Sequence, residues 1–166
     1  MLKVLEGYRE KKMKVTALEE YGLRCLLQLA KAYLEHQKVG LSISEIAKRE
    51  GLSIQYVSKI TSHLRKSGLI ESMRGVHGGY HLVKKPHELK LLEVSKVLGN
   101  SIFDEEFCID HAGKKTTCVH EKNCSVRSVW SGIHRHINMI LSQLSLADLL
   151  NGEMKTDQQL LKVISG

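Results

Sequence analysis

Three cysteines, Cys108, Cys118 and Cys124, lie close together in a segment that has no regular pattern of apolar residues. Nine and then five residues separate them, which matches neither the CxxC pairs of zinc fingers nor the CxxCxxC runs of ferredoxins. Neighbouring thiols in a chain without disulfides usually bind a metal or carry out redox chemistry. The spacing therefore predicts a metal or redox site and leaves the metal open.

Three thiolates leave a tetrahedral metal one ligand short. His111 and His120 lie in the same segment, so a Cys3His zinc site is one alternative, and a redox switch of unligated thiols is another. The remaining cysteine, Cys25, falls within an apolar helical pattern. Because free cysteine buries readily, we predict that Cys25 is a core residue.

A second functional stretch begins with two predicted helices before the cysteines. Ser42 and Glu45 have the spacing of a capping box and open a short helix that Gly51 closes. Ser53 is suited to cap the next helix, which Gly68 ends. The apolar face of this second helix consists of Val57, Ile60, Thr61 and Leu64. Its opposite face is polar and mostly cationic, which is typical of a recognition helix.

Two strand-like runs, Leu69–Met73 and Tyr80–Val83, follow this helix and are joined by a glycine-rich hairpin that begins with Arg74. Glycines beside a basic residue suit a loop that approaches a phosphate or the minor groove closely. The order of helix, tight turn, basic helix and wing predicts a winged helix-turn-helix that binds DNA. The predicted DNA-binding residues are Ser53, Gln55, Tyr56, Ser58, Lys59, His63, Arg65, Arg74 and His77.

The charge balance also favours a polyanionic partner. The 166-residue chain has a formal net charge of +7, and most of the excess lies between residues 41 and 90, where nine Lys and Arg face four Glu. No apolar run approaches the ~20 residues of a membrane span, and the first residues lack a signal-peptide pattern. We therefore expect a cytoplasmic protein with no membrane partner, in which the cysteines are reduced or bound to metal.

The expected fold class is mainly α with a small two-stranded wing, arranged as a winged helix-turn-helix domain plus a long dimerisation helix. Helices are also predicted at Ala17–Tyr33 and Leu89–Leu98. The predicted divisions are an N-terminal extension (1–12), the DNA-binding domain (13–99), the cysteine loop (100–124), the dimerisation helix with a short helical turn (125–150) and a polar tail (151–166).

The dimerisation helix is predicted from Ser125 to Leu144, a length of about 30 Å. Its apolar residues advance by three and four positions in turn, the repeat of helices that pack on a partner helix. Packing within one chain is the alternative. A homodimer suits DNA recognition, because two-fold symmetry places two recognition helices on two half-sites. The predicted interface residues are Val129, Trp130, Ile133, Ile137, Ile140 and Leu144.

The run LSISEIAKREGLSIQYVSKITSHLRKSGLIESMRGVHGGYHL resembles the winged-helix regulators typified by the iron–sulfur cluster regulator IscR and the nitric-oxide-sensitive repressor NsrR. The resemblance extends upstream through MKVTALEEYGLRCLLQLA and downstream through LLEV, the cysteine loop and SLADLL, and so covers Met13 to Leu150. It implies a dimeric bacterial transcription regulator that binds double-stranded operator DNA. It also implies an iron–sulfur cluster, 2Fe–2S or 4Fe–4S, whose state sets the affinity for DNA.

By this resemblance, Cys108, Cys118 and Cys124 are the cluster ligands, Gln55 to Lys59 face the bases, and Arg74 enters the minor groove. The signal sensed, whether nitric oxide, redox state or iron and cluster supply, stays open. So does the choice between repression and activation.

The chain departs from the family pattern at two positions. IscR-type members have a histidine three residues after the last cysteine, where this chain has Arg127, which cannot be a ligand. Related members use a carboxylate from the partner subunit near the start of the first helix, and Glu20 falls at that position, beside Glu19. At Ser58, IscR has an acid that helps it select DNA, so target choice does not carry over.

Other functions fit the sequence less well. A cluster carrier or electron-transfer protein would not need the stretch from Ser53 to Gly79, and a metal-free regulator controlled by a partner enzyme would not need three cysteines. No nucleophile–base pair or phosphate-binding glycine loop points to an enzyme.

Overall fold

The computed structural model describes residues 15–36, 40–75, 78–99, 108, 112 and 117–165. The predicted N-terminal extension and most of the cysteine loop, including His111, lie outside these residues, as does His77 in the hairpin. The elements of the described part are α1 (Ala17–His36), α2 (Ile43–Glu50), α3 (Ile54–Lys66), β1 (Ile70–Met73), β2 (Gly79–Leu82), α4 (Leu91–Leu98), α5 (Ser125–Gln143), a 3-10 turn (Asp148–Asn151) and α6 (Glu153–Ser165). The predicted fold class is confirmed.

The helix-turn-helix consists of α2 and α3, and local side-chain contacts set its boundaries. Ser42 and Glu45 form the predicted capping box: Ser42 Oγ accepts from the Glu45 backbone N–H at 3.2 Å, and Glu45 Oε2 accepts from the Ser42 N–H at 2.8 Å. Gly51 ends α2 in the left-handed conformation, with φ of 67°. Ser53 then caps α3, where its Oγ accepts from the Tyr56 N–H at 3.2 Å.

The wing is an antiparallel pair in which Ile70 lies opposite Leu82 and Met73 opposite Gly79. It is joined to the start of the helix-turn-helix by two backbone hydrogen bonds between Leu41 and Tyr80, of 2.9 and 2.8 Å. Gly79 has φ of 140°, and a Cβ there would come within 2.5 Å of the Leu41 carbonyl. Only glycine therefore allows the two backbones to approach this closely.

Helix α1 lies at the centre of the molecule, where it packs on α2, α3, α4, β2 and the 3-10 turn. Glu50 at the end of α2 has a side chain only 7% exposed; its carboxylate accepts from Arg24 Nε of α1 at 2.6 Å and from the Gln28 amide. This buried charge is therefore paired and hydrogen-bonded, as burial requires. The large side chains buried in the core are Leu26, Leu29, Ile46, Ile60, Leu64, Ile70, Leu89 and Leu146.

The end of α5 returns to the DNA-binding domain. The Leu91 N–H donates to the Leu144 carbonyl at 3.0 Å, and the Leu146 N–H donates to the Leu89 carbonyl at 2.8 Å. These bonds pair residues 89–91 with residues 144–146 in an extended conformation. Helix α4 therefore begins at Leu91 and not at Leu89 as the sequence predicts.

The segment predicted to be a polar tail instead contains the helix α6. The side chains of Thr156 and Gln159 both hydrogen-bond to Asp148 of the preceding 3-10 turn, and Leu160 and Val163 are half-buried. Contacts with the rest of the chain thus stabilise a helix whose own sequence is mostly polar. The predicted helical turn before it is present: the backbone N–H and the hydroxyl of Ser145 each donate to Asp148 Oδ2 at 2.7 Å.

Candidate DNA-binding surface and cysteine site

Helix α3 divides its side chains between the core and solvent. Val57, Ile60, Thr61 and Leu64 are at most 1% exposed, as the sequence predicts. The Thr61 hydroxyl donates to the Val57 carbonyl at 3.0 Å, so its burial leaves no unpaired polar atom. With this face held in the core, the opposite face of α3 points to solvent and can enter a major groove.

Most of the predicted DNA-binding residues are exposed on α3 or the wing; they are Ser53, Gln55, Ser58, Lys59, His63, Arg65 and Arg74. Tyr56 differs, because it is half-buried and its ring packs edge-to-face on Tyr21, with ring centroids 5.8 Å apart. Tyr56 therefore helps to hold α3 on α1. The side chain of Ser53 is engaged as the helix cap.

His63 makes a contact that the sequence does not predict. Its Nε2 lies 2.8 Å from the backbone carbonyl oxygen of Val97, in the last turn of α4. A carbonyl oxygen only accepts hydrogen bonds, so the ring must carry its proton on Nε2. The His63 side chain is exposed, but its Nε2–H donates to the Val97 carbonyl and is therefore not available to DNA.

The basic side chains on this surface differ in their pairing. Lys84 is bound to Glu93 at 2.6 Å and Lys85 lies 3.7 Å from Glu88, after the wing. Within the described part of the chain, Lys59, Arg65 and Arg74 form no salt bridge. These three charges are therefore available to phosphates.

One residue was missed by the sequence analysis. Ile54 occupies the first position of α3, directly before Gln55, and is 58% exposed although it is apolar. An apolar side chain beside polar readers in a major groove can contact a thymine methyl group. The signal that could have identified Ile54 is its place just after the cap, outside the apolar face of α3.

The four cysteines occupy two environments. Cys25 is fully buried in the core, as predicted, and burial raises the pKa of its thiol to about 12. Cys108, Cys118 and Cys124 are each half-buried. Only these three are accessible enough for metal or redox chemistry.

The chain around the last two of these cysteines has a local fold. Backbone bonds from Glu121 to Cys118 and from Asn123 to His120 form two successive turns. Cys124 is the N-cap of α5, where its Sγ accepts from the Arg127 N–H at 3.4 Å. Arg127 itself donates to the Glu121 carbonyl at 2.7 Å, so it stabilises the turn and supplies no ligand.

The three half-buried cysteines, Cys108, Cys118 and Cys124, offer sulfur donors that suit a thiophilic metal centre, since soft thiolates select iron–sulfur clusters or zinc. At Cys124 the positive end of the α5 dipole also favours a negatively charged sulfur. Among the described residues, however, no group of three or more His, Cys, Asp or Glu side chains lies close enough to hold a metal. The donor set fits a metal centre, then, but the described arrangement does not assemble it. His120, the described candidate for a zinc ligand, is exposed.

The two neighbouring acids at the start of α1 have different roles. Glu19 caps the helix: its Oε2 accepts from the Thr16 N–H at 2.7 Å, and the Glu19 N–H donates to the Thr16 hydroxyl. The Glu20 side chain is 57% exposed and lies 4.0 Å from an Arg24 nitrogen. Since a surface pair of this length is weak, Glu20 is the acid that is free to bind another group.

Helix α5 presents an apolar stripe to solvent. Val129, Trp130 and Ile133 are 60%, 47% and 41% exposed, and Val126 is 63% exposed. Ile137 and Ile140 are half-buried, and Ile137 also lines a cavity of ≈560 Å³ between α1, α4 and α5. Of the predicted interface residues, Val129, Trp130 and Ile133 are thus left uncovered by the described part of the chain and Ile137 and Ile140 are partly covered, with one exception.

The exception is Leu144, which lies outside this stripe. It is 4% exposed, and its carbonyl pairs with Leu91. Its burial is explained by the extended pairing after α5, which turns the end of the helix into the core of the same chain. Leu144 is therefore removed from the predicted dimer interface.

Comparison with known proteins gives a family. The family model Rrf2, described as an iron-dependent transcriptional regulator, matches residues 15–152. The regulator IscR of Photorhabdus laumondii is 30% identical over 145 residues, which cover 87% of this chain and 84% of that protein.

In the part of the chain that the structure describes, no helix combines the length and apolarity needed to cross a membrane.

Two solved structures are similar. The IscR of T. potens matches with a TM-score of 0.64 and 30% identity over 84% of this chain and 88% of that one. CymR of B. subtilis, the global cysteine regulator, matches with a TM-score of 0.64 and 28% identity over 82% of this chain and 95% of that one. These relatives are transcriptional regulators and not enzymes. The chain belongs to the Rrf2 family of winged-helix transcription regulators.

Proposed function

We propose that the chain is a homodimeric DNA-binding transcription regulator whose affinity for its operator is set by an iron–sulfur cluster on Cys108, Cys118 and Cys124. The observation that carries the proposal is the position of these thiols. In the sequence they lie between α4, which packs on α1 within the DNA-binding domain, and α5, which Cys124 caps and whose apolar stripe is exposed. A centre bound there would join the two elements that relate DNA binding to dimerisation.

The DNA contacts are assigned by exposure and charge. Gln55, Ser58 and Lys59 lie at the start of α3, where a recognition helix reaches the bases and adjacent phosphates. Arg65 reaches a phosphate farther along the helix, and Arg74 on the wing enters the minor groove.

The fourth ligand is Glu20 of the second subunit. Of the two acids at the start of α1, Glu20 is the one that the helix cap leaves free. When bound, the cluster supplies a centre that reacts with oxidants or nitric oxide. For sensing, the cluster-loaded and cluster-free forms of the protein must differ in their affinity for DNA. A ligand shifts a conformational equilibrium only if it binds the two conformations unequally.

The test compares operator binding by the cluster-loaded and cluster-free protein at one salt concentration. The probe is a duplex enriched from random-sequence DNA by each form of the purified protein under anaerobic conditions. We expect the two forms to differ at least tenfold in affinity, within the usual range of coupling energies. Iron and sulfide should be present in the loaded protein and should be lost after any single change among Cys108→Ala, Cys118→Ala and Cys124→Ala. Equal affinities of the two forms would remove sensing from the function.

Glu20→Ala should retain a cluster that decays faster in air than that of the unchanged protein. Glu19→Gln is the matched control, since it alters the neighbouring acid and retains a hydrogen-bonding side chain at the cap. A cluster that is equally stable in Glu20→Ala would exclude Glu20 as a ligand.

A second candidate is a regulator that responds through its thiols without a cluster. The likeness to CymR, named as a global cysteine regulator, favours it, as does the exposure of residues 119–123 between Cys118 and Cys124. The same preparation distinguishes the readings. Colourless protein with stoichiometric zinc would indicate a Cys3His zinc site, and metal-free protein whose DNA affinity follows thiol oxidation would indicate thiol control.

A further inference from the structure

The last turn of α4 is held between two other helices. On one side, Leu98 packs on α1, where a Cβ at Gly22 would come within 2.5 Å of a Leu98 methyl carbon. Gly99 lies so close to the Glu19 carboxylate that a Cβ there would overlap it. On the other side, the Val97 carbonyl accepts the hydrogen bond from His63 of α3. This turn thus contacts both the capped start of α1 and the recognition helix.

The last turn of α4 is also close in the sequence or in space to residues that neighbour the candidate cluster ligands. Gly99 is the residue after α4, and Cys108 follows nine residues later. Glu19, which contacts Gly99, directly precedes Glu20. The turn therefore lies beside the residue that precedes Glu20 and leads along the chain toward Cys108, while the hydrogen bond of His63 connects it directly to α3.

We propose that His63 is a positioning residue, through which the last turn of α4 sets the placement of α3 against DNA. The proposal rests on the DNA-binding role of α3 and not on the identity of the bound metal. A hydrogen bond fixes both the distance and the direction between the ring and the carbonyl. A displacement of the α4 turn therefore moves the exposed face of α3, and base contacts that depend on alignment weaken.

A double-mutant cycle on the cluster-free protein tests this directly. Gly99→Ala changes the contact between the α4 turn and α1 by forcing the Glu19 carboxylate aside, and His63→Leu removes the hydrogen bond to Val97. We expect each single change to lower affinity for the selected duplex; for His63→Leu the loss should be roughly two- to tenfold, the range that the net contribution of one hydrogen bond implies. The double mutant should be no weaker than His63→Leu alone.

The conservative variant is His63→Gln, whose terminal amide can donate from nearly the position of Nε2. In this background, binding should be close to that of the unchanged protein, and Gly99→Ala should again weaken it. Affinity for a random-sequence duplex should stay the same in all variants. An equal loss on random DNA in His63→Leu would make His63 a direct phosphate contact, and additive effects in the cycle would mean that the α4 turn does not act through it. Either result overturns the proposal, as does unchanged binding in both single mutants.

Two further measurements keep the proposal falsifiable if Gly99→Ala does not fold. Glu19→Ala replaces it in the cycle, because it removes the side chain that contacts Gly99. Nitrogen-15 NMR of labelled histidine reports which ring nitrogen of His63 carries the proton at neutral pH; a neutral ring protonated on Nδ1 alone would contradict the bond to Val97. If the cluster-loaded and cluster-free proteins bind DNA equally but the cycle shows coupling, cluster sensing fails and the role of His63 stands.

Discussion

Neighbouring side chains on α3 serve different purposes. Thr61 is buried and returns its hydroxyl to the helix backbone, while Ser58 and Lys59 remain exposed on the other face. Tyr56 packs on Tyr21, so part of the polar face stabilises the domain. Because each residue has its own contacts, its role can be tested by a single substitution.

Arg74→Ala and Lys59→Ala should have different effects on DNA binding. If Arg74 reads a groove, its loss costs about 1–3 kcal/mol on the selected duplex and less on random DNA. Lys59→Ala should weaken binding to both duplexes and lower the salt slope by about one, as the loss of one phosphate contact does. Titrations at several salt concentrations measure both quantities. Equal losses on both duplexes for Arg74→Ala would reduce it to a phosphate contact.

Cys25 should be chemically silent while the other cysteines react. Burial leaves its thiol without solvent access and raises its pKa to about 12, so it remains protonated and protected at neutral pH. Mass spectrometry after iodoacetamide treatment of the folded, metal-free protein should find Cys108, Cys118 and Cys124 modified and Cys25 unmodified. The same treatment in guanidinium chloride is the control and should modify all four. Rapid modification of Cys25 in the folded protein would contradict its burial.

At the scale of the elements, the helix-turn-helix depends on helix caps whose residues lie within a few positions of one another in the sequence. The capping box of α2, the left-handed Gly51 and the Ser53 cap of α3 form one continuous connection. The wing is then joined to its start through Leu41 and Tyr80. The recognition helix is thus positioned by short-range contacts at its ends and by the core along its length.

Ser42→Ala should destabilise the domain by about 1 kcal/mol, the usual cost of losing a helix cap. Hydrogen bonds from Ser42 lower the pKa of Glu45 below its ordinary value of 4.5. Their contribution is therefore fully present above that value and is lost as the pH falls and Glu45 becomes protonated. Denaturant unfolding should show a difference between the two proteins at pH 7 that shrinks below pH 4.5. Ser44→Ala, at an exposed helical position, is the control. A difference that does not change with pH would show that Glu45 takes no part.

At the scale of the whole molecule, the stripe of α5 is an apolar surface that no other described part of the chain covers. Val126, Val129, Trp130 and Ile133 lie on a helix that the rest of the protomer covers on one side only. Exposed apolar residues in a row usually mark an interaction surface. In the homodimer that we propose, a second copy of the chain would cover this stripe and suit two-fold DNA recognition.

Ile133→Asp should therefore give a folded monomer. Ile133 is 41% exposed in the protomer, so the change leaves the core intact but would place an unpaired charge in a dimer interface. Analytical ultracentrifugation of the cluster-free protein measures the change, and circular dichroism checks the fold. Leu34→Asp, at a 61% exposed position of α1, is the matched control and should remain dimeric. A dimer that persists in Ile133→Asp would place the subunit contact elsewhere.

The helices of the DNA-binding domain and most of the exposed polar side chains of α3 could be predicted, because both are determined by residues that are close in the sequence. Helical spacing determines which side chains share a face, and a cap acts over three residues. The capping box at Ser42, the turn at Gly51 and the buried position of Val57 follow from such local rules. So does the cysteine loop as a candidate site, although its metal does not.

Contacts between distant segments were decided by the tertiary structure alone. Leu144 fits the α5 stripe by spacing, yet the pairing of residues 89–91 with 144–146 buries it. The sequence pattern places His63 on a basic face, but its Nε2–H donates to the carbonyl of Val97, 34 residues away. The α6 helix gains support from Asp148. Each outcome depends on how closely two elements approach in space, and periodicity within one element carries no information about that distance.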